Sequence, residues 1–140
     1  MGKSWKDLES QVRALARLIW DREAEAKNIG GVDIDCVVQL SSNNFVLIEI
    51  TEEETLNKAR EDINKIITAR NALFSQGVFA KGYFVRRGGV TQAMIDAGKS
   101  HHIDCVSFAK FQRILFDFEP PYDRIPTSGF SQTSPSSDTA

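Results

Sequence analysis

From Ser4 to Asp21 the apolar residues Trp5, Leu8, Val12, Leu15 and Ile19 recur at helical spacing, and Ser4 stands where an N-cap belongs. The spacing predicts an amphipathic helix with Glu9 on the flank of the stripe, either in solvent or turned along the helix toward a sheet. Residues 22–29 read equally as a short edge strand or as more helix, and Gly30-Gly31 ends either one. The period then changes: 33–40 and 45–51 have strand character, and the turn-forming Ser41-Ser42-Asn43-Asn44 between them predicts an antiparallel hairpin. From Thr55 to Ser75, Leu56, Ile63, Ile67 and Phe74 fall on one helical stripe behind Glu52-Glu53-Glu54, acids that suit a helix N-terminus, and Gly77 marks the end. Ala80 to Val85 predicts a strand closed by Arg86-Arg87-Gly88-Gly89. Thr91 then caps a helix to about Ser100, Ile103 to Val106 predicts a last strand, and Ser107 caps a helix turning Phe108, Phe111, Ile114 and Leu115 inward. Strand, helix, strand, twice over, implies a partly parallel sheet with helices on both faces.

Composition sets bounds on this picture. A chain of 140 residues, 41% hydrophobic and with nine Phe, has the material for one core, placed here at 1–118. After Phe118 come Glu119-Pro120-Pro121 and a Ser/Thr/Pro-rich run from Thr127 to Ala140, so 119–140 reads as a disordered tail or a linker. Cys36 and Cys105 lie in apolar runs without metal-ligand spacing and read as free thiols in a reducing compartment. No apolar stretch is long enough to span a bilayer, and Met1-Gly2-Lys3-Ser4-Trp5 runs into a helix without a signal-peptide core. The expectation is a cytoplasmic protein with no membrane partner. A formal charge of -2 argues against a purely electrostatic nucleic-acid binder. It leaves room for an enzyme that holds metal through acids and keeps its positive charge local, in Lys58, Arg60, Lys65, Arg70, Lys81, Arg86 and Arg87.

Candidate chemistry centres on the hairpin. Strand alternation places Asp33, Asp35, Val37 and Gln39 on one face of its first strand, and Phe45, Leu47, Glu49 and Thr51 on one face of its second. If those faces coincide, Asp35 and Glu49 converge into an oxygen-rich site for a hard divalent cation. The plainer alternative is two polar strand ends in solvent, although Glu49 closes an apolar run where a structural strand more often ends in Gly, Asn or Pro. Arg86 and Arg87 sit on the sheet rim, where phosphate contact and solvation are equally good readings. His101-His102 suits a helix C-terminus, Trp5 and Trp20 suit packing, and no Walker loop, Rossmann glycine pattern or zinc spacing occurs.

The order of these elements and motifs, over residues 4–117, resembles the PD-(D/E)XK or restriction-endonuclease-like nucleases. It looks closest to the Mrr-like branch, through Gly31-Val32-Asp33-Ile34-Asp35, Glu49-Ile50-Thr51, Gly82-Tyr83-Phe84-Val85, Val90-Thr91 and His102-Ile103-Asp104-Cys105-Val106. The resemblance implies a three-layer α/β/α fold around a mixed sheet of about five strands. It implies Mg²⁺, or Mn²⁺, held by Asp35, Glu49 and the Ile50 carbonyl, with Glu9 as the first-helix acid and Asp33 as the alternative to Asp35. Thr51 stands where the pattern has its lysine, and a neutral hydroxyl cannot offset charge on the attacked phosphate. Lys58 on the following helix is the nearest substitute, although the wheel sets it about 200° from Leu56. Arg60 flanks the stripe better, and the plainer reading of Lys58 and Lys65 is a solvent face paired with Asp62 and Glu61, above all for Lys65. The implied activity is hydrolysis of DNA, with RNA as a further substrate class, in a restriction or defence system with a fused or partner targeting module or a second copy of the chain. The alternative is a catalytically degenerate domain that binds nucleic acid or a protein.

Overall fold

The computed structural model describes residues 5–53 and 55–117. Ser4 as N-cap, the Trp5 side chain, Glu54 and the 119–140 segment lie outside the described residues. The order is α1 (Trp5–Ile19), β1 (Glu25–Ile29), β2 (Val32–Ser41), β3 (Asn44–Thr51), α2 (Leu56–Phe74), β4 (Phe79–Arg86), α3 (Gln92–Lys99), β5 (Ile103–Ser107) and α4 (Phe108–Asp117). The ambiguous 22–29 stretch is thus strand from Glu25, turned back through Gly30 and Gly31, whose φ values of 64° and 88° close a tight hairpin.

The five strands lie in sequence order, with β1–β2 and β2–β3 antiparallel and β3–β4 and β4–β5 parallel. The parallel pairs need crossovers, which α2 and α3 supply on one face; α1 and α4 cover the other. Leu8, Val12, Cys36, Ile48, Val85, Phe111 and Leu115 fill the core on the α1/α4 side. Ile34, Val37, Leu47, Ile63, Ile66, Phe84 and Met94 fill it on the α2/α3 side. Each large side chain taken wholly out of water here contributes ~1.5–3 kcal/mol. Thr55, Thr91 and Ser107 cap their helices through bonds to the backbone N–H groups of Lys58, Met94 and Lys110. Among the described residues, no helix is long and apolar enough to cross a membrane.

Two expectations need correction. The buried stripe of α2 is Ala59, Asp62, Ile63, Ile66, Ala69 and Leu73, while Ile67 is only partly buried and Phe74 is exposed. At ~100° per residue this is a rotation of about a quarter turn from the stripe drawn through Leu56 and Phe74. The small Ala59 and Ala69 are what the sheet accepts beneath the helix. The second correction concerns strand β2. Ile34 and Val37, three residues apart, share the α2/α3 core, and Cys36 and Val38 the other. Strict alternation forbids this. The ladder shows the cause: Glu25 and Lys27 pair with Val37 and Ile34, so β2 carries one extra residue at 35–36. Asp33 and Val37, which alternation sets on one face, therefore do not share it.

Where α3 presses on β5, a Cβ on Gly98 would lie 2.5 Å from the Ile103 carbonyl oxygen and 2.7 Å from Cys105 Sγ. Backbone cannot yield as a side-chain tip does. Gly98→Ala is expected to cost about 1–3 kcal/mol, read as a lower urea midpoint at unchanged slope.

Candidate active site

The β2–β3 ladder runs from Ser41↔Asn44 to Cys36↔Ile48 and is then replaced by side chains. At the bulge the Asp35 N–H donates to Glu49 Oε2 at 2.8 Å, and the Ile50 N–H donates to Asp35 Oδ2 at 2.9 Å. Two backbone donors that the bulge would leave orphaned are satisfied reciprocally by two carboxylates. The N–H and C=O of one strand residue point to the same side, so the Ile50 carbonyl also faces this opening. Asp33 lies outside it, exposed and bonded to Asn28 Nδ2 at 2.9 Å. The structure therefore brings Asp35 and Glu49 together and leaves Asp33 out.

Helix α2 adds charge from above. Lys65 Nζ stands 3.7 Å from Glu49 Oε1, and Lys58 Nζ stands 3.2 Å from Oδ1 of Asp62. Asp62 is fully buried, and neither of its oxygens accepts a well-aligned hydrogen bond. Burial and the charges of Asp35 and Asp62 push the Glu49 carboxyl up to about 9, against the Asp35 N–H bond and Lys65. Burial likewise raises Asp35, against the Ile50 N–H bond and the Lys65, Arg13 and Lys58 charges. Asp62 is raised by burial despite Lys58. Burial pulls the Lys58 ammonium down, but Asp62, Glu53 and Glu49 together leave it above its usual range.

These shifts carry a pH signature in the metal-free protein. A carboxyl raised on folding stabilises the fold fully below its unfolded value, 4.5 for Glu49, and loses that contribution as pH rises through about 9. In EDTA, stability is expected to fall between those limits, and Glu49→Gln is expected to flatten the fall; urea midpoints across that range check it.

The other expected residues are placed as follows. Glu9 is buried, so the solvent reading for it does not hold: Arg13 Nη2 lies 2.5 Å from its Oε1, and Arg13 Nε donates to the Asp35 carbonyl at 3.1 Å. Glu9 thus reaches the site through Arg13, an unforeseen residue. Thr51 is buried and its Oγ1 accepts the Glu53 N–H at 3.0 Å, which turns the chain out of β3. Lys58 is engaged with Asp62, and Lys65, expected in solvent beside Glu61, is the lysine that meets Glu49. Arg60 is exposed. Arg86 Nε bonds the Glu53 carbonyl at 3.0 Å and Arg87 Nε the Glu52 carboxylate at 3.0 Å, so the rim arginines brace the loop after β3. The Lys58–Asp62 pair is the expected one, but the burial of Asp62 and the approach of Lys65 to Glu49 were missed. An acid at helical spacing inside Ala59, Ile63, Ile66 and Ala69 was the available signal.

The donor set suits a hard cation. Among the described residues no three His, Cys, Asp or Glu side chains converge as metal ligands. Two carboxylates with backbone and water oxygens match the way Mg²⁺ is commonly held. A groove of about 840 Å³, lined by Trp20, Phe45, Phe74, Phe79 and Tyr83, opens at the other end of β3 and β4 and contains none of these acids.

No family model and no curated protein matches the chain. Among solved structures it is similar to a repair endonuclease from Pyrococcus abyssi, with a TM-score of 0.51 and 11% sequence identity. The match covers 77% of this chain and 48% of that one, so the chain spans about half the length of its neighbour. Mixed five-stranded sheet and helices on both faces make a three-layer α/β/α fold, which the chain shares with this neighbour.

Proposed function

We propose that this chain is a metal-dependent nuclease domain that hydrolyses DNA phosphodiesters. The observation that carries the reading is the opened end of the β2–β3 hairpin, where Asp35 and Glu49 replace the ladder and Lys65 comes to within 3.7 Å of Glu49. Asp35, Glu49 and the Ile50 carbonyl would hold Mg²⁺, or Mn²⁺ in its place. The bound cation supplies a water of lowered pKa and polarises a phosphoryl oxygen. The chain supplies the rest. Asp35 and Glu49 are fixed by each other's strands, and Arg13, neutralised by Glu9, grips the Asp35 carbonyl from the α1 side. Lys65 provides the ammonium that Thr51 cannot, able to orient a water and offset charge gathering on the phosphate. Lysine suits this as a compact point charge on a flexible stem. The neighbour of this fold is itself an endonuclease, which agrees with this reading. The domain would serve as the cleavage module of a restriction or defence system, with target choice left to a fused or partner module or to a second copy of the chain.

The degenerate, binding-only reading rests on Thr51, and the Lys65–Glu49 approach weighs against it. Supercoiled plasmid and single-stranded DNA incubated with Mg²⁺, Mn²⁺ or EDTA provide the test. Nicking in both metals and none in EDTA is the expected result; intact DNA under every condition would sink the proposal. Thermal melting gives an independent check, since a cation that relieves the crowded acids should raise the melting temperature with Mg²⁺ concentration.

A further inference from the structure

Helix α2 brings a second lysine to the site. Lys58, Asp62 and Lys65 follow one another at i, i+4 and i+7, which places them along one side of the helix. Asp62 belongs to the buried stripe, between Ala59 and Ile63, where an apolar side chain would fill the space. It is fully buried, its Oδ2 has no partner, and the cation beside it is Lys58, 3.2 Å from Oδ1. Removing a carboxylate from water costs several kcal/mol unless it is well paired. As pure architecture, this residue is a poor choice. Its charge nevertheless acts on Glu49, and the charge of Asp35 acts on it, so it is close enough to the acid pair to share its field.

We propose that Asp62 is a positioning residue that anchors the Lys58 ammonium as a clamp for a phosphate flanking the scissile one. The site then takes a polynucleotide strand in preference to an isolated phosphodiester. The inference rests on the proposed nuclease reading and names the substrate feature that reading leaves open. Lys58 and Lys65 are separated by about 10 Å along the helix axis, at ~1.5 Å per residue. One strand of DNA repeats its charge every ~3.4 Å of axis, so side chains rooted that far apart are able to reach different phosphates of one strand. Lys65, on Glu49, faces the reacting phosphate; Lys58, held by a buried carboxylate with its own side chain about a quarter exposed, faces a neighbour. Anchoring matters because a free lysine loses much rotamer entropy on binding, and the ion pair has already restricted this one.

The test reads binding, so it does not depend on cleavage. Labelled single-stranded and duplex oligonucleotides are titrated with the whole chain across a salt series, in Ca²⁺ and in EDTA. Lys58→Gln is expected to weaken binding and lower the slope of log K against log salt by about 0.7–0.9, the loss of one phosphate contact. Asp62→Asn decides the proposal through the sign of its effect. A buried negative charge with no positioning role repels DNA, so its removal tightens binding and leaves the slope intact. An anchor for Lys58 gives weaker binding and a smaller slope, with no further weakening when Lys58→Gln is already present. Tighter or unchanged binding by Asp62→Asn overturns the inference, as does the absence of binding to any strand. Urea midpoints verify the fold, which the isosteric change should preserve or strengthen; if Asp62→Asn fails to fold, an unaltered salt slope in Lys58→Gln overturns the inference by itself. Strand binding with this salt behaviour but no cleavage in any metal would refute the nuclease reading and leave the clamp standing.

Discussion

Glu49→Ala is expected to lower Mg²⁺-dependent DNA cleavage by at least about 10³-fold, a loss of ~4 kcal/mol in transition-state stabilisation. Glu49 is 1% exposed, faces Asp35 across the opened hairpin, and accepts the Asp35 N–H at 2.8 Å. Its removal would take away one of the two proposed cation ligands and the acceptor that fixes the other's backbone. The structural consequences run in opposite directions. Losing the acceptor strands a part-buried N–H, at about 1–3 kcal/mol, while losing the carboxylate relieves the burial and the repulsion that together hold its pKa near 9. Glu49→Gln separates the two effects, because its amide oxygen still accepts the N–H. Both variants are expected to be inactive in plasmid nicking, and both should lose the Mg²⁺-dependent rise in melting temperature. Cleavage by either at the wild-type rate would remove Glu49 from the reaction.

The second large effect falls on α2. Lys65→Ala is expected to reduce the single-turnover cleavage rate by about 10²–10³, the scale seen when one preorganised charge-stabilising group is lost. Apparent affinity for DNA should change far less. The position of Nζ, 3.7 Å from Glu49 Oε1, puts its charge where it develops on the attacked phosphate, while the 41% exposure of the side chain leaves it room to move with substrate. Lys58→Ala should show the converse pattern, a raised KM with a modest change in kcat, because its ammonium is committed to Asp62. If Lys58→Ala abolished the chemical step and Lys65→Ala did not, the two lysines would have to exchange roles. Arginine at 65 should restore little, since a planar, more weakly hydrated guanidinium does not replace an ammonium point charge.

The acid pair was legible because strand chemistry is local. Glu49 ends the run Phe45–Ile50, and Asp35 leads into Cys36–Val38, so a hairpin between them brings the acids near each other whatever surrounds it. What could not be read was the bulge that makes the approach work. Alternation predicts Asp33, Asp35 and Val37 on one face, and only the pairing of Lys27 with Ile34 and Glu25 with Val37 reveals the extra residue at 35–36, where the Asp35 carboxylate accepts the Ile50 N–H. On α2 the apolar positions Leu56, Ile63, Ile67 and Phe74 make a regular stripe, and the sheet selects a different one. Ala59 and Ala69 allow a closer approach than Phe74 does, and the resulting quarter turn carries both lysines from the expected solvent side to the flanks of the site.

The sequence by itself determined the order of elements, the mixed sheet with helices on both faces, the caps at Thr91 and Ser107, and the approach of Asp35 to Glu49. Those follow from residue period, turn chemistry and hydrogen bonds between near neighbours. Tertiary structure alone decided that Arg13 joins Glu9 to the Asp35 carbonyl, that Asp62 is buried, and that Lys65 meets Glu49. Each depends on the rotation of a helix about its own axis against the sheet. That rotation is set by the volumes of side chains distant in sequence, a property of the packed interface that no period along the chain records.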